Sequence, residues 1–288
     1  MSSDIHMTTC HHTSLKCRPR TNDYNIEGWN ITAWTQSEKL NIAKQSLASL
    51  NQFAKQKISI VDDGSDYTYA NLWLQECISK FNTYSFSRSN ENALNKYIKF
   101  IDDDVDLIAH FEDDHVYFNP ENLNWQQIAY DFLTSNKDIG SLSFISGLPN
   151  RPEFPDYKGA WGPISFRDRE IPALLYKRLG NSHHIMLKDT YLKFFPLIGK
   201  SGTCEAYMCN KLSELGLLHA EIQVPIYAFH SHCFKRELPK NVTTTELNMS
   251  ARGREYGIKD MYDHINNNKR IEYSYLTCSG EVFKKWGL

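Results

Sequence analysis

Three carboxylates in a row, Glu112, Asp113 and Asp114, interrupt an apolar stretch that runs from Leu107 to Phe118. Adjacent anions repel one another, and a bound divalent cation offsets that repulsion because it becomes the largest local charge. Carboxylate oxygens suit Mg²⁺ and Mn²⁺, and such ions usually hold substrate phosphates as well. The run therefore predicts a divalent-metal site, and the alternative is an acidic loop at the end of a strand.

A second acidic group, Asp62 and Asp63, follows the apolar run Ile58–Val61 and precedes Gly64. Both acidic groups come at the carboxyl ends of predicted strands. Ligands of open α/β sheets bind outside these ends, so we expect the two groups to share one site. The alternative for the second group is an ordinary turn, since Asp-Asp-Gly-Ser is also good turn chemistry.

The spacing of apolar residues predicts strands alternating with helices along the chain. Predicted strands are Ile31–Trp34, Ile58–Val61, Tyr84–Phe86, Leu107–Phe111, Gly140–Ile145, His184–Leu187 and Ala220–Phe229. Predicted helices are Leu40–Phe53, Tyr69–Phe81, Ala93–Phe100, Trp125–Thr134, Asp189–Phe195 and Cys204–Leu215. This order indicates an α/β fold with a mainly parallel central sheet flanked by helices. Gly147–Pro172, rich in proline, glycine and aromatic residues, predicts an irregular connection.

Composition excludes several classes of function. The 288 residues are 41% hydrophobic and carry a formal charge of -2, which gives no reason to expect a nucleic-acid partner. No apolar run approaches the roughly 20 residues of a membrane span. Residues 1–20 are polar and lack the apolar centre of a secretory signal, and the 7 cysteines are scattered. We therefore expect a soluble cytoplasmic protein with reduced thiols.

Three segments are expected along the chain: a flexible N-terminal segment over residues 1–29, an α/β domain over 30–234, and a polar C-terminal extension over 235–288 that packs on the domain. The stretch His6–Cys17 is rich in zinc-type ligands, but its spacing is not one of the usual zinc patterns. A mobile tail is the default interpretation of that stretch.

From about residue 30 to residue 232 the chain resembles the GT-A fold glycosyltransferases, and its pattern is most similar to the family 2 inverting enzymes. Four motifs carry the resemblance: an opening strand and helix at Ile31–Leu40, a Val-Asp-Asp-Gly-Ser motif at Val61–Ser65, a Glu-Asp-Asp form of the Asp-x-Asp metal motif at Glu112–Asp114, and a base motif at Gly202–Glu205. The chain departs from the pattern in lacking Pro-x-Tyr-Asn in the opening strand and in having one carboxylate in the base motif.

The resemblance implies a metal-dependent inverting glycosyltransferase of the hexosyl or N-acetylhexosaminyl type. The donor would be a nucleotide-diphosphate sugar, with a UDP-sugar favoured, and the acceptor a hydroxyl of a glycan, a lipid-linked molecule or a protein. Mn²⁺ or Mg²⁺ would stabilise the diphosphate leaving group as a Lewis acid.

The resemblance also implies a role for each site residue. Glu205 would be the general base, although a Glu in the first turn of a helix is favourable without any catalytic role. His230 or His232 would complete the metal site of Glu112 and Asp114, since imidazole suits Mn²⁺, and the alternative is a pair of surface histidines. The residues expected to contact the nucleotide sugar are Thr35, Asp62, Asp63, Gly64 and Asp113.

Two other functions compete with this interpretation. A sugar nucleotidyltransferase would need a glycine-rich, basic loop after the first strand, and Thr35–Lys39 contains no glycine. A non-catalytic nucleotide-sugar-binding module of the same fold would keep the acidic triplet without the chemistry of Glu205. The products released from a nucleotide sugar would separate the three.

Overall fold

The computed structural model describes residues 2–9, 31–33, 36–65, 68–87, 93–119, 122–144, 160–166, 169–176, 183–196, 204–222, 226–230 and 234–236. The strands are β1 (Ser3–Thr9), β2 (Ile31–Ala33), β3 (Ile58–Asp62), β4 (Asn82–Ser85), β5 (Leu107–Glu112), β6 (His115–Phe118), β7 (Ile139–Ser143), β8 (Ala160–Phe166), β9 (Arg169–Tyr176), β10 (His184–Leu187), β11 (Leu218–Ile222), β12 (Tyr227–His230) and β13 (Phe234–Arg236). The helices are α1 (Gln36–Ala54), α2 (Thr68–Ile78), α3 (Ala93–Tyr97), α4 (Trp125–Ser135), α5 (Lys188–Phe194) and α6 (Cys204–Glu214), and a 3-10 helix (Ile98–Phe100) continues α3.

Within these residues, nine strands form one sheet in the order β4-β3-β1-β5-β10-β7-β11-β9-β8. Pairing is parallel throughout the block β4-β3-β1-β5 and again between β7 and β11. Antiparallel pairing joins β10, β9 and β8 to their neighbours. The predicted α/β class, a sheet with a parallel core flanked by helices, is confirmed.

Helices cover both faces of the sheet. One apolar cluster joins α1, α2 and α4 to side chains such as Ile60 of β3 and Phe111 of β5. A second cluster, on the opposite face, joins α3, α5 and α6 to Ile108 of β5 and Met186 of β10. Successive side chains of a strand point to opposite faces, so β5 contributes to both clusters and is apolar nearly throughout.

The first strand of the parallel core is not where the sequence predicts it. Ser3–Thr9 forms β1 and pairs with β3 on one side and β5 on the other. Ile31–Ala33 instead pairs with β13 in a separate two-stranded sheet. The expectation of a flexible N-terminal segment is therefore wrong for these seven residues. Their apolar members Ile5 and Met7 are buried in the core, and His6 between them is equally buried.

Two further expectations differ from the structure. The region predicted as an irregular connection contains β8 and the start of β9, which pair as an antiparallel hairpin. The strand predicted over Ala220–Phe229 is divided between β11 and β12, which belong to different sheets. The proposed division into domains at residues 30 and 235 stays a prediction. Among the described residues, no helix combines the length and apolar character that crossing a bilayer requires.

Candidate functional site

The acidic turn, defined as Glu112–His115, connects two sheets. β5 ends at Glu112 in the nine-stranded sheet, and β6 begins at His115 and pairs with β12. Glu112, Asp114 and His115 each offer a ligand atom, and these atoms lie within 4.8 Å of one another. The side chains of Glu112 and Asp114 are 18% and 36% exposed, whereas that of His115 is 2% exposed. The group is thus closed on its imidazole side and open to solvent at Asp114.

His115 contacts both carboxylates of this group. Its Nδ1 lies 2.9 Å from Asp114 Oδ1 and 3.7 Å from Glu112 Oε2. Because a carboxylate accepts hydrogen bonds, the short contact is an Nδ1–H donated to Asp114. Two carboxylates and an imidazole suit Mn²⁺, and a cation at this position would replace that proton. His115 is not among the ligands predicted from the sequence, although it directly follows the triplet.

Thr9 connects the two acidic groups. It ends β1, the strand between β3 and β5, and its Oγ1 donates a hydrogen bond to Asp113 Oδ2 at 2.7 Å. Its carbonyl accepts a hydrogen bond from the backbone N–H of Asp63 at 2.9 Å. The carboxyl ends of β3 and β5 therefore meet at one edge of the sheet, as the sequence predicts. Asp113 faces Thr9 while Glu112 and Asp114 face His115.

Asp62 stabilises the turn that follows β3. Its side chain is fully buried, and its carboxylate accepts hydrogen bonds from the backbone N–H of Ser65 at 3.2 Å, from Ser65 Oγ at 2.5 Å and from Ser85 Oγ at 2.8 Å. Gly64 has a φ of 73°, a conformation that glycine adopts without strain. These contacts occupy Asp62 with protein partners, whereas Asp63 is half-buried.

The backbone of one more predicted ligand, His230, lies beside the acidic turn. The Cα of His230 is the register partner of the Cα of His115 in the β6–β12 pair. Directly opposed residues of antiparallel strands lie about 4.5–5.5 Å apart, so His230 belongs to the surroundings of the acidic turn.

For three other predicted site residues, the structure describes only part of the residue or none of it. Glu205 is the second residue of α6, so its predicted position at a helix start is confirmed, while its side chain lies outside the described part of the chain. Thr35 and His232 are also outside it.

A row of buried histidines crosses the sheet behind the site. His6 and His184 are the register partners of His110 on its two sides, and His6 Nε2 lies 3.1 Å from His110 Nδ1. Burial lowers the pKa of His6 to about 3 and holds that of His110 well below its usual value. His219, whose ring nitrogens contact the hydroxyls of two serines of β7, has its pKa lowered to about 3 by burial.

Asp4 lies on the same face as this row, two residues before His6 in β1. Burial raises the pKa of its carboxyl group to about 6, although a hydrogen bond from the Tyr97 hydroxyl opposes the shift. The face of the sheet that packs against α3 thus contains neutral imidazoles and a carboxyl group that protonates readily.

Replacing Thr9 with valine tests the connection between the acidic groups. Valine has the shape of threonine but no donor, so Thr9→Val should lower the free energy of unfolding by about 1.5–3 kcal/mol, the range for a hydrogen bond to a charged group. Urea unfolding followed by fluorescence measures it. Thr9→Ser keeps the hydroxyl and is the matched control; a loss as large in Thr9→Ser as in Thr9→Val would assign the effect to packing and not to the bond.

No protein-family model and no curated protein sequence matches the chain. Similar folds occur among solved structures. One is GalNAc-T7 with UDP, GalNAc and Mn²⁺ (TM-score 0.49, 10% identity, 99% of this chain and 56% of that chain). Another is the mannosyltransferase PcManGT from Pyrobaculum calidifontis with GDP-Man and Mn²⁺ (0.47, 9%, 79% and 56%). A third is assigned to a glucose-1-phosphate thymidylyltransferase from Bacillus anthracis (0.45, 10%, 80% and 90%).

The chain spans little more than half the length of the first two of these proteins. The three matches include two glycosyltransferases and one nucleotidyltransferase, and their identities to this chain are only 9–10%. Function therefore has to be inferred from the chemistry of the acidic turn and its surroundings.

Proposed function

We propose that the protein is a metal-dependent glycosyltransferase of the GT-A type, which moves a sugar from a nucleotide-diphosphate sugar to a hydroxyl acceptor with inversion. The observation that carries the proposal is the meeting of two acidic groups at the carboxyl ends of β3 and β5, with Thr9 bonded to both. Ligands of α/β sheets bind at this edge.

The residues of the acidic turn and those around it would have distinct roles in this function. Glu112, Asp114 and His115 would hold Mn²⁺ or Mg²⁺, with His230 on the neighbouring strand as a further ligand. When bound, the ion stabilises the negative charge that develops on the diphosphate leaving group. Asp63 would accept a hydrogen bond from the ribose or base of the donor, with a UDP-sugar favoured, and Asp62 would hold the turn in place.

Asp113 and Glu205 complete the proposed assignment. Asp113 is oriented by the hydrogen bond from Thr9 at the end of β5, where hydroxyls of the ribose or the donor sugar would be within its reach. Glu205 would take the proton of the acceptor hydroxyl as it attacks the anomeric carbon. Its position in the first turn of α6 favours the ionised carboxylate that a base requires, because the helix dipole stabilises anions there.

Calorimetry and product analysis test the function together. The chain is titrated with UDP, GDP and CDP in the presence of Mn²⁺ and again with EDTA, and the matching nucleotide sugars are then incubated with the protein. We expect Mn²⁺-dependent uptake of UDP and slow release of UDP from a UDP-sugar. Release of pyrophosphate from a nucleoside triphosphate and sugar phosphate would instead show a nucleotidyltransferase, and no uptake of any of the three with Mn²⁺ would contradict the proposal.

Glu205→Gln tests the base. Glutamine keeps the size of the side chain but accepts no proton, so donor binding should persist while sugar transfer falls by about 100-fold or more, as for the loss of a general base. Glu214→Gln is the matched control, because Glu214 ends the same helix and pairs with Lys211 on the surface. Transfer at the wild-type rate in Glu205→Gln would remove this residue from the mechanism.

A further inference from the structure

We infer that Tyr117 is a positioning residue, which holds the main chain of the acidic turn in the geometry that its cation requires. The inference rests on the proposed function, since it concerns the same metal site. Tyr117 lies in β6, two residues after His115, and is 3% exposed. It has no place among the predicted site residues, and its hydroxyl is hidden from any ligand in the open part of the site.

The phenol hydroxyl of Tyr117 binds both backbone groups of Glu112. It donates a hydrogen bond to the Glu112 carbonyl at 2.9 Å and accepts one from the Glu112 N–H at 3.1 Å. A tyrosine hydroxyl is protonated at neutral pH, so it can donate one of these bonds and accept the other. One side chain of β6 thereby fixes the residue at which β5 ends and the acidic turn begins.

Helix α1 holds the same carbonyl from the other side. Ser46 Oγ donates to the Glu112 carbonyl at 3.1 Å. Ser49 Oγ accepts a hydrogen bond from the Tyr117 N–H at 3.1 Å and donates to the Ser46 carbonyl at 2.8 Å. Both serines are buried, at 0% and 3% exposure. Buried hydroxyls on the core side of a helix are costly unless they are bonded, and these two are bonded to the acidic turn and to the strand that follows it.

The consequence is a metal site that is ordered before the metal arrives. Glu112 is anchored at its N–H and its carbonyl, and Asp113 is anchored through Thr9, so a cation does not have to order this part of the chain when it binds. Outer partners of this kind commonly raise the affinity of a metal site by 10- to 100-fold. Tyr117 would act on the metal only through the position of Glu112.

Tyr117→Phe removes the hydroxyl and keeps the ring, which packs edge-on against Phe111 at 4.9 Å between centroids. Tyr97→Phe is the matched control, because Tyr97 is also buried and its hydroxyl bonds Asp4 on the other face of the sheet. Mn²⁺ affinity is measured by calorimetry on the full chain, and the EPR spectrum of bound Mn²⁺ reports its coordination. We expect Tyr117→Phe to weaken Mn²⁺ binding about tenfold and to broaden the spectrum. Tyr97→Phe should change neither.

Wild-type affinity and an unchanged spectrum in Tyr117→Phe would overturn the positioning role and leave the metal site standing. A wild-type protein that takes up no Mn²⁺ would instead overturn the proposed function, and this inference with it. Where Tyr117→Phe fails to fold, Ser46→Ala tests the same carbonyl from α1. It should weaken Mn²⁺ binding about threefold, as expected for one hydrogen bond, and an unchanged affinity there would equally overturn the inference.

Discussion

Replacing Asp114 with alanine is expected to abolish Mn²⁺-dependent binding of a nucleoside diphosphate. Asp114 is the most exposed of the three clustered ligands and its carboxylate contacts His115 at 2.9 Å. Its loss removes one proposed ligand. It also removes the carboxylate that accepts the hydrogen bond of the His115 imidazole. Since loss of an outer partner alone costs 10- to 100-fold in affinity, loss of a ligand should cost about 100-fold or more.

Calorimetry with UDP at saturating Mn²⁺ measures the effect of Asp114→Ala, and thermal unfolding with and without Mn²⁺ gives an independent measure, because a ligand that binds only the folded state raises the melting temperature. Asp104→Ala is the control for the change in net charge, since Asp104 is exposed in the loop before β5. Mn²⁺-dependent UDP binding of wild-type strength in Asp114→Ala would place the metal elsewhere.

Acid should destabilise the protein strongly. Burial lowers the pKa of His6 and of His219 to about 3 in the folded protein, from an ordinary histidine value of 6.5. Because the histidine pKa is lower in the folded protein, the unfolded chain binds a proton at a higher pH than the folded protein does. The contribution of each histidine to the free energy of unfolding is therefore fully present above pH 6.5 and is lost as the pH falls towards 3. By pH 4 each of these two residues should have lowered the free energy of unfolding by about 3 kcal/mol.

Asp4 acts in the opposite direction. Its pKa of about 6 in the folded protein lies above the ordinary aspartate value of 3.8, so the folded state takes up a proton between these values and gains about 2 kcal/mol by pH 4. We therefore expect a net loss of about 4 kcal/mol between pH 7 and pH 4 from these three groups. Urea unfolding at each pH measures it. A free energy that is constant over this range would contradict the expectation, and His219→Gln should reduce the slope by about one proton.

The sequence predicted those strands and helices whose residue pattern agrees with their burial in the fold. β3 and β5 are nearly continuous apolar runs because both of their faces are covered, and each ends in a carboxylate that marks the edge of the sheet. Parallel strands place the two acidic groups at the same edge, where Thr9 connects them. The α1 helix was predictable from its apolar spacing alone.

β1 was not predictable in the same way. Ser3–Thr9 alternates apolar and polar residues, and in an isolated sequence Asp4 and His6 look like solvent-exposed residues. In the fold His6 is buried and Asp4 is half-buried, and their partners His110 and Tyr97 lie about a hundred residues away in the sequence. Partners so far away in the sequence leave no pattern in the residues of β1 itself.

The same reason explains which site residues the sequence analysis missed. His115 follows the acidic triplet directly, yet its role depends on the turn that places its ring against Asp114. Tyr117 contributes through a hydroxyl that returns to the backbone five residues earlier, a contact that no sequence spacing indicates. Residue types at a strand end predict the chemistry of a site, whereas the groups that fix its geometry emerge only from the tertiary structure.

The placement of β1 also limits how early the proposed cation site can form during synthesis. The partner of Ser3 across the sheet is Leu107, so one edge of β1 stays open until Leu107 leaves the ribosome. At about 5 to 20 residues per second the delay is on the order of 10 s, during which a nascent strand exposes unpaired backbone groups to other chains. The proposed cation site, in which Thr9 lies between the two acidic groups, could form only after β5 has paired with β1.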